Sequence, residues 1–175
     1  MKKVLLLMVL VAVARLPVRA QEAYPKAEVF GGFSVLSVGD INGSREQFPG
    51  WQGSVAGNFH RNFGIVADFG GHYKTIDGAK VNVFEYLFGP RFSFRKDKAT
   101  LFGEALLGGV RSSVEGESDN GVLMALGGGV DVKASNRVAI RVFEMDWTPN
   151  RINHVWSKKE FRICFGFVFK VGGGA

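Results

Sequence analysis

The sequence predicts an all-β fold: a closed antiparallel up-and-down transmembrane β-barrel of about eight strands, preceded by a cleaved signal peptide. Three observations predict it. Beyond Gln21, apolar and polar residues alternate with a period close to two almost everywhere, and no long segment repeats at 3.6. The alternating segments are about ten residues long, enough to cross a bilayer at a tilt. The connections between them run long, short, long, short along the chain.

The first twenty residues read as a leader. Met1-Lys2-Lys3 is a short positive start, and Val4 to Ala14 is an unbroken apolar run of signal-peptide length. Val18-Arg19-Ala20 offers a cleavage site before Gln21, although Arg15 and Arg19 are unusual after such a run. The run is too short to remain as a spanning helix. The expected domain division is therefore a signal peptide over 1–20 and a barrel over 21–175.

This division changes the meaning of the charge. The whole chain carries 22 basic and 16 acidic residues. Four of the basic ones, Lys2, Lys3, Arg15 and Arg19, fall in the leader, so the mature chain is nearly neutral and nucleic acid is not an expected partner. With Cys164 as the only cysteine, an internal disulfide and a thiolate metal cluster are both excluded. Glycine, at 24, and phenylalanine, at 16, suit strands and tight turns.

The elements follow in order. Strand one runs near Ala27–Ser37, with Ala27, Val29, Gly31, Phe33 and Val35 on one face, and a polar loop follows over Val38–Pro49. Strand two, Trp51–His60, sets Trp51, Val55 and Phe59 against Gln52, Ser54, Asn58 and His60. Arg61-Asn62 is a tight turn into strand three, where Phe63, Ile65, Ala67, Phe69 and Tyr73 oppose Asp68, His72 and Lys74. Asp77-Gly78 marks a turn in the loop over 75–80. Strand four, about Val81–Arg95, alternates Phe84, Tyr86, Phe88, Phe92 and Phe94 with Glu85, Leu87, Arg91, Ser93 and Arg95; Pro90 should mark a break or bulge. Lys96-Asp97-Lys98 turns into strand five, Thr100–Ser112, whose facing is ambiguous around Glu104. A polar loop over Glu115–Asn120 leads to strand six, Gly121–Val132, with Asp131 on its polar face. After Ala134-Ser135-Asn136, strand seven starts with Val138, Ile140 and Val142 and changes phase into Glu144 and Asp146, which predicts a one-residue bulge near Phe143. A loop over 148–159 leads to the last strand, in which Phe161, Ile163, Phe165, Phe167, Phe169 and Val171 form one apolar row.

Alternation alone does not say which face is inside, and a secreted lipocalin-like barrel would share the period. The lumen of eight strands is just wide enough for side chains. It does not accommodate more than a dozen rings, so the aromatic face is expected to point out to lipid. The polar face then forms a plugged, nearly balanced interior charge network: Glu28, Asp68, Glu85, Glu104, Asp131, Glu144 and Asp146 against Lys74, Arg91, Arg95, Arg141, Arg162 and Lys170.

The leader, Glu28-Val29-Phe30-Gly31-Gly32-Phe33-Ser34, Phe102-Gly103-Glu104-Ala105-Leu106-Leu107-Gly108-Gly109 and the last strand are the residues that carry a family resemblance. The chain resembles the OmpA/OmpX-like eight-stranded outer-membrane β-barrel domain proteins over essentially the whole mature sequence. The resemblance implies residence in the cell outer membrane among lipid and lipopolysaccharide, a monomer, and four extracellular loops whose partner it does not name. It also implies a C-terminal signal for the barrel-assembly machinery at Phe161, Ile163, Phe165, Phe167 and Phe169. The chain continues past Phe169 with Lys170 to Ala175, a departure from an aromatic end.

A structural or surface-interaction role without catalysis or cofactor is the expectation. The alternatives are a lipid A deacylase-like enzyme and the soluble ligand-binding barrel. The enzyme would have to draw on His154, Ser157 and Asp146 or Glu144 near the outer rim. Asp40-Ile41-Asn42-Gly43 resembles the start of a calcium loop but lacks the later glutamate. Gly127-Gly128-Gly129 sits mid-strand with no helix after it, so it is a packing feature and not a phosphate cradle.

Overall fold

A computed structural model describes residues 24–41, 44–76, 78–114, 117–152 and 155–172. The leader, Asn42-Gly43, Asp77, Glu115-Gly116, His154 and the last three residues lie outside the described residues. The strands are β1 (Ala27–Ile41), β2 (Ser44–His60), β3 (Phe63–Ile76), β4 (Ala79–Arg95), β5 (Ala99–Val114), β6 (Glu117–Lys133), β7 (Val138–Trp147), β8 (Asn150–Ile152), β9 (Val155–Ser157) and β10 (Phe161–Val171). Each of β1 to β6 pairs antiparallel with the next, and β10 pairs with both β7 and β1, from Phe161↔Trp147 and from Ala27↔Val171. The ring is closed, with eight strands and no free edge. The short hairpin β8–β9 extends one side of it, with β8 still paired to β6.

The aromatic face points outward. Seventeen of the 22 aromatic side chains are well exposed, which settles the facing that alternation left open. Neighbouring strands interlock these rings: Phe33 and Phe165 stand 5.4 Å apart between centroids, Tyr73 and Phe84 5.8 Å, and Trp51 Nε1 donates to the Tyr73 hydroxyl at 3.2 Å.

Four features differ from the sequence expectation or refine it. The outer loops are largely strand: β1 and β2 run on beyond the aromatic rows to Ile41 and from Ser44, and β5 and β6 pair as far as Val114↔Glu117. Antiparallel pairing satisfies the backbone there while both faces turn polar, which erases the period-two signal. Pro90 makes a local break and no bulge: it faces outward opposite Ile65, and pairing to β5 is interrupted at Gly89 and Pro90, then resumes in the same register at Arg91↔Glu104. The bulge near Phe143 is present, because the register of β7 shifts by one against both β6 and β10 and leaves Val142 and Phe143 both outside. Strand five faces inward with Thr100, Phe102, Glu104 and Leu106.

The lumen also holds apolar side chains that its expected composition lacked. Phe30, Phe48 and Phe102 are buried inside, as are Leu36, Val66, Leu87, Leu106, Val110, Leu123 and Val168. Room for them comes from glycines. A Cβ on Gly127, Gly128 or Gly129 would run into the backbone of Met145, Phe102 or Phe143, so these residues let β6 lie close to both neighbours.

Candidate functional site

The polar side chains that strand alternation turns inward meet in the middle of the barrel. Arg162, fully buried on β10, joins three strands: Nη1 donates to Asp68 Oδ1 on β3 and Glu85 Oε2 on β4, and Nη2 to Asp146 Oδ2 on β7, each at 2.9 Å. Gln52 of β2 donates to the other oxygen of Asp68 at 2.6 Å. Arg141 on β7 donates to Asp131 at 2.8 Å and to Glu144 at 2.8 Å. Arg91 on β4 donates through Nε to Glu104 on β5 at 2.7 Å. The rings of Phe30 and Phe102 flank the Arg141 guanidinium at 4.2 and 4.3 Å, so the inward phenylalanines pack on the planar faces that its hydrogen bonds leave bare. Nearer the tight turns, Arg95 pairs with Glu28 at 3.1 Å, and Asn58 donates to the same carboxylate at 3.3 Å.

Two lysines of the expected network stand apart from this centre. Lys74 pairs with Glu46 toward the outer end and is partly exposed. Lys170 lies beside Glu28 in register at the turn end, half-buried, and joins no ion pair among the described residues. Long amine side chains near strand ends carry their charge out to water. In the network nearer the centre and the tight turns, the carboxylates of Glu28, Asp68, Glu85, Glu104, Asp131, Glu144 and Asp146 face Arg91, Arg95, Arg141 and Arg162.

Carboxylate oxygens of Glu104, Glu144 and Asp146 lie within 4.8 Å of one another, the closest approach to a metal-ligand set among the described residues. Each is already paired with its own arginine, Arg91, Arg141 or Arg162. The trio is thus the hub of an ion-pair lattice. A second polar chain runs beside it: Cys164 Sγ contacts the Ser34 hydroxyl at 3.4 Å, and Ser34 lies 2.9 Å from His72 Nε2, all three fully buried. The roles of Ser34 and Gln52 are easily passed over in the sequence. Their inward position was legible there, but their partners, on distant strands, were not.

Of the residues considered for catalysis, the described ones are engaged separately. Asp146 and Glu144 are buried and held by arginines, while Ser157 is half-buried on β9 and hydrogen-bonds Glu160. His154 lies outside the described residues. Toward the outer mouth, a cavity of about 180 Å3 lies among Leu36, Phe48, Val83, Val110, Ile152 and Glu160. The lumen is occupied by its own side chains, with no helix long and apolar enough to cross a membrane among the described residues.

Solved structures share this architecture. Neisserial surface protein A superposes with a TM-score of 0.68 at 12% identity, over 85% of this chain and 99% of that one. The fold is that of the OmpA/OmpX-like eight-stranded barrels. Ail, the attachment invasion locus protein of Yersinia pestis, gives 0.58 at 14% identity, over 83% and 98% of the two chains, and has also been solved with the heparin analogue sucrose octasulfate. The N-terminal β-barrel domain of Pseudomonas aeruginosa OprF gives 0.55 at 9% identity, over 83% and 97%. No family model and no curated protein matches the chain. The OmpA/OmpX-like likeness thus rests on the ring of strands and not on shared sequence.

Proposed function

We propose that the chain is an integral outer-membrane β-barrel with a structural or surface-contact role, exported by a leader over 1–20 that is removed to leave 21–175. One observation carries this reading: the closed ring puts its aromatic rows outside and its charges inside. In water that surface would be a large exposed apolar belt. In a bilayer it is the lipid-facing band of a barrel whose strands pair with one another all the way round.

The ion-pair lattice fills the lumen, so the function is read at the outer end and not through a pore. The outer hairpins, carrying Arg111, Asp119, Arg151 and Trp156 on exposed positions, are the contact surface toward lipopolysaccharide and whatever lies beyond it. The last strand bears the row Phe161, Ile163, Phe165, Phe167 and Phe169 that the barrel-assembly machinery would read before β10 closes onto β1. The protein acts as a monomer, since the eight-strand ring closes on itself without a second copy. It performs no catalysis, because the serine and carboxylates nearest the mouth are engaged with other groups.

Labelling of intact cells with an impermeant maleimide tests the reading, with buried Cys164 as a silent background. Lys158→Cys on the outer hairpin should label from outside and Lys98→Cys at a tight turn only after lysis. Equal labelling of both in the soluble fraction would overturn it. Lipid A from cells carrying Ser157→Ala should be unchanged; a loss of acyl chain removal in that variant would restore the enzyme reading.

A further inference from the structure

The two ends of the barrel differ sharply in charge. At the tight-turn end, Arg61, Lys96, Lys98, Lys133 and Arg137 are exposed, and Lys26 and Lys170 are half-buried beside them. The described acid facing solvent there is Asp97 alone; Glu28 is turned inward onto Arg95. The basic residues are shared among all three tight turns and the closing β1–β10 pair, so they ring the end. At the other end the signs interleave in the sequence, seven basic with seven acidic, and pair locally, as Lys74 does with Glu46.

One contact, that of Lys96, sets the height of the ring relative to the belt. The Lys96 ammonium lies 5.6 Å from the ring centroid of Phe94, which is itself on the outward face. Lys26 lies over the Tyr24 ring at 4.7 Å. A cation folded over the last outward ring of a strand sits where the hydrocarbon ends and headgroups begin.

We propose that this rim is a binding surface for anionic phospholipid headgroups in the leaflet at the turn end of the barrel. The inference rests on the membrane reading above and adds a lipid preference and a side to it. The rim's exposed cations outnumber its one exposed acid, so an anionic surface is attracted from every direction around the ring, and salt screens that attraction. The interior charges are turned onto one another and do not supply this attraction.

The test uses the full mature chain in phosphatidylcholine vesicles doped with spin-labelled phosphatidylcholine or phosphatidylglycerol. Electron spin resonance reads the fraction of each lipid held at the protein. The expected result is an enrichment of phosphatidylglycerol on the order of fivefold, comparable to one cation's attraction to an anionic surface. High salt should erase it in the unmodified protein. Lys96→Gln, Lys98→Gln, Lys133→Gln and Arg137→Gln together should bring it to parity, whereas Arg45→Gln, Arg111→Gln and Lys158→Gln at the outer end should leave it in place. Parity in the unmodified protein, enrichment that survives high salt, or loss only in the outer-end variant overturns the proposal. A chain that enters no vesicle and shows no change in gel mobility on boiling overturns the membrane reading instead, so the two failures are distinct.

Discussion

Arg162 and Glu85 meet across the full width of the barrel. They stand on β10 and β4, with three strands between them whichever way one counts around the ring, and Nη1 donates to Oε2 at 2.9 Å. Asp68 and Asp146 complete the same guanidinium. One side chain therefore ties together opposite walls that share no backbone hydrogen bond.

Arg162→Met should be the most damaging single change in the lumen. It leaves three buried carboxylates without their common partner, and breaking a buried pair in this way costs about 3–5 kcal/mol. Urea unfolding of the barrel in micelles, followed by the gel shift of the folded form, measures it. A loss below about 1 kcal/mol would mean that the network contributes little.

Arg91 and Glu104 should couple strongly in a double-mutant cycle. Glu104→Gln alone and Arg91→Met alone each expose an unmatched buried group, while the double change removes both, so the two losses should fall short of adding by about 1–3 kcal/mol. Additive losses would contradict the pairing at 2.7 Å.

How much of this was legible in the sequence depends on the range of the information. The facing of β2, β3 and β4 follows from neighbours two residues apart, and the phase change between Val142 and Glu144 announces its bulge in the same way. β5 did not yield, because Leu101, Ala105 and Leu107 on one face look no more apolar than Phe102, Leu106 and Val110 on the other. What decides it is Glu104 meeting Arg91 from the adjoining strand. The convergence on Arg162 was out of reach for the same reason, since Glu85 and Asp68 lie 77 and 94 positions away in the chain. Lys74 and Lys170 have the inward parity but sit near strand ends, where water is the better solvent for an amine.

Phe167→Arg tests the belt. Phe167 is 55% exposed between Gly31 of β1 and Ile140 of β7 in register. An arginine near the middle of the bilayer costs about 2–4 kcal/mol on the lipid face of a barrel. The loss should appear in lipid vesicles as a lower folded fraction. An equally stable variant would place this face in water.

Glu160 gives the outer hairpin a pH dependence. Burial raises its carboxyl above the usual carboxylate range, against the opposing hydrogen bond from Ser157. The folded state therefore holds that proton more tightly than the unfolded one. Its stabilising contribution is present at low pH and is lost as pH rises through the raised value. Glu160→Gln, which keeps an acceptor for Asn150, should be relatively more stable than the unmodified chain as pH rises from the acid side toward neutrality. Unfolding midpoints across that range check it, and a constant gap between the two would contradict the assignment.

The most direct test of the account is to separate inner and outer membranes from cells expressing the full-length chain and to run the outer fraction on a gel with and without boiling. The expected result is a band in the outer-membrane fraction that has lost the leader, shifts in mobility on boiling, and whose Cys164 reacts with a thiol reagent only after boiling. A soluble periplasmic band that does not shift would contradict it and would require the aromatic rows to face something other than lipid.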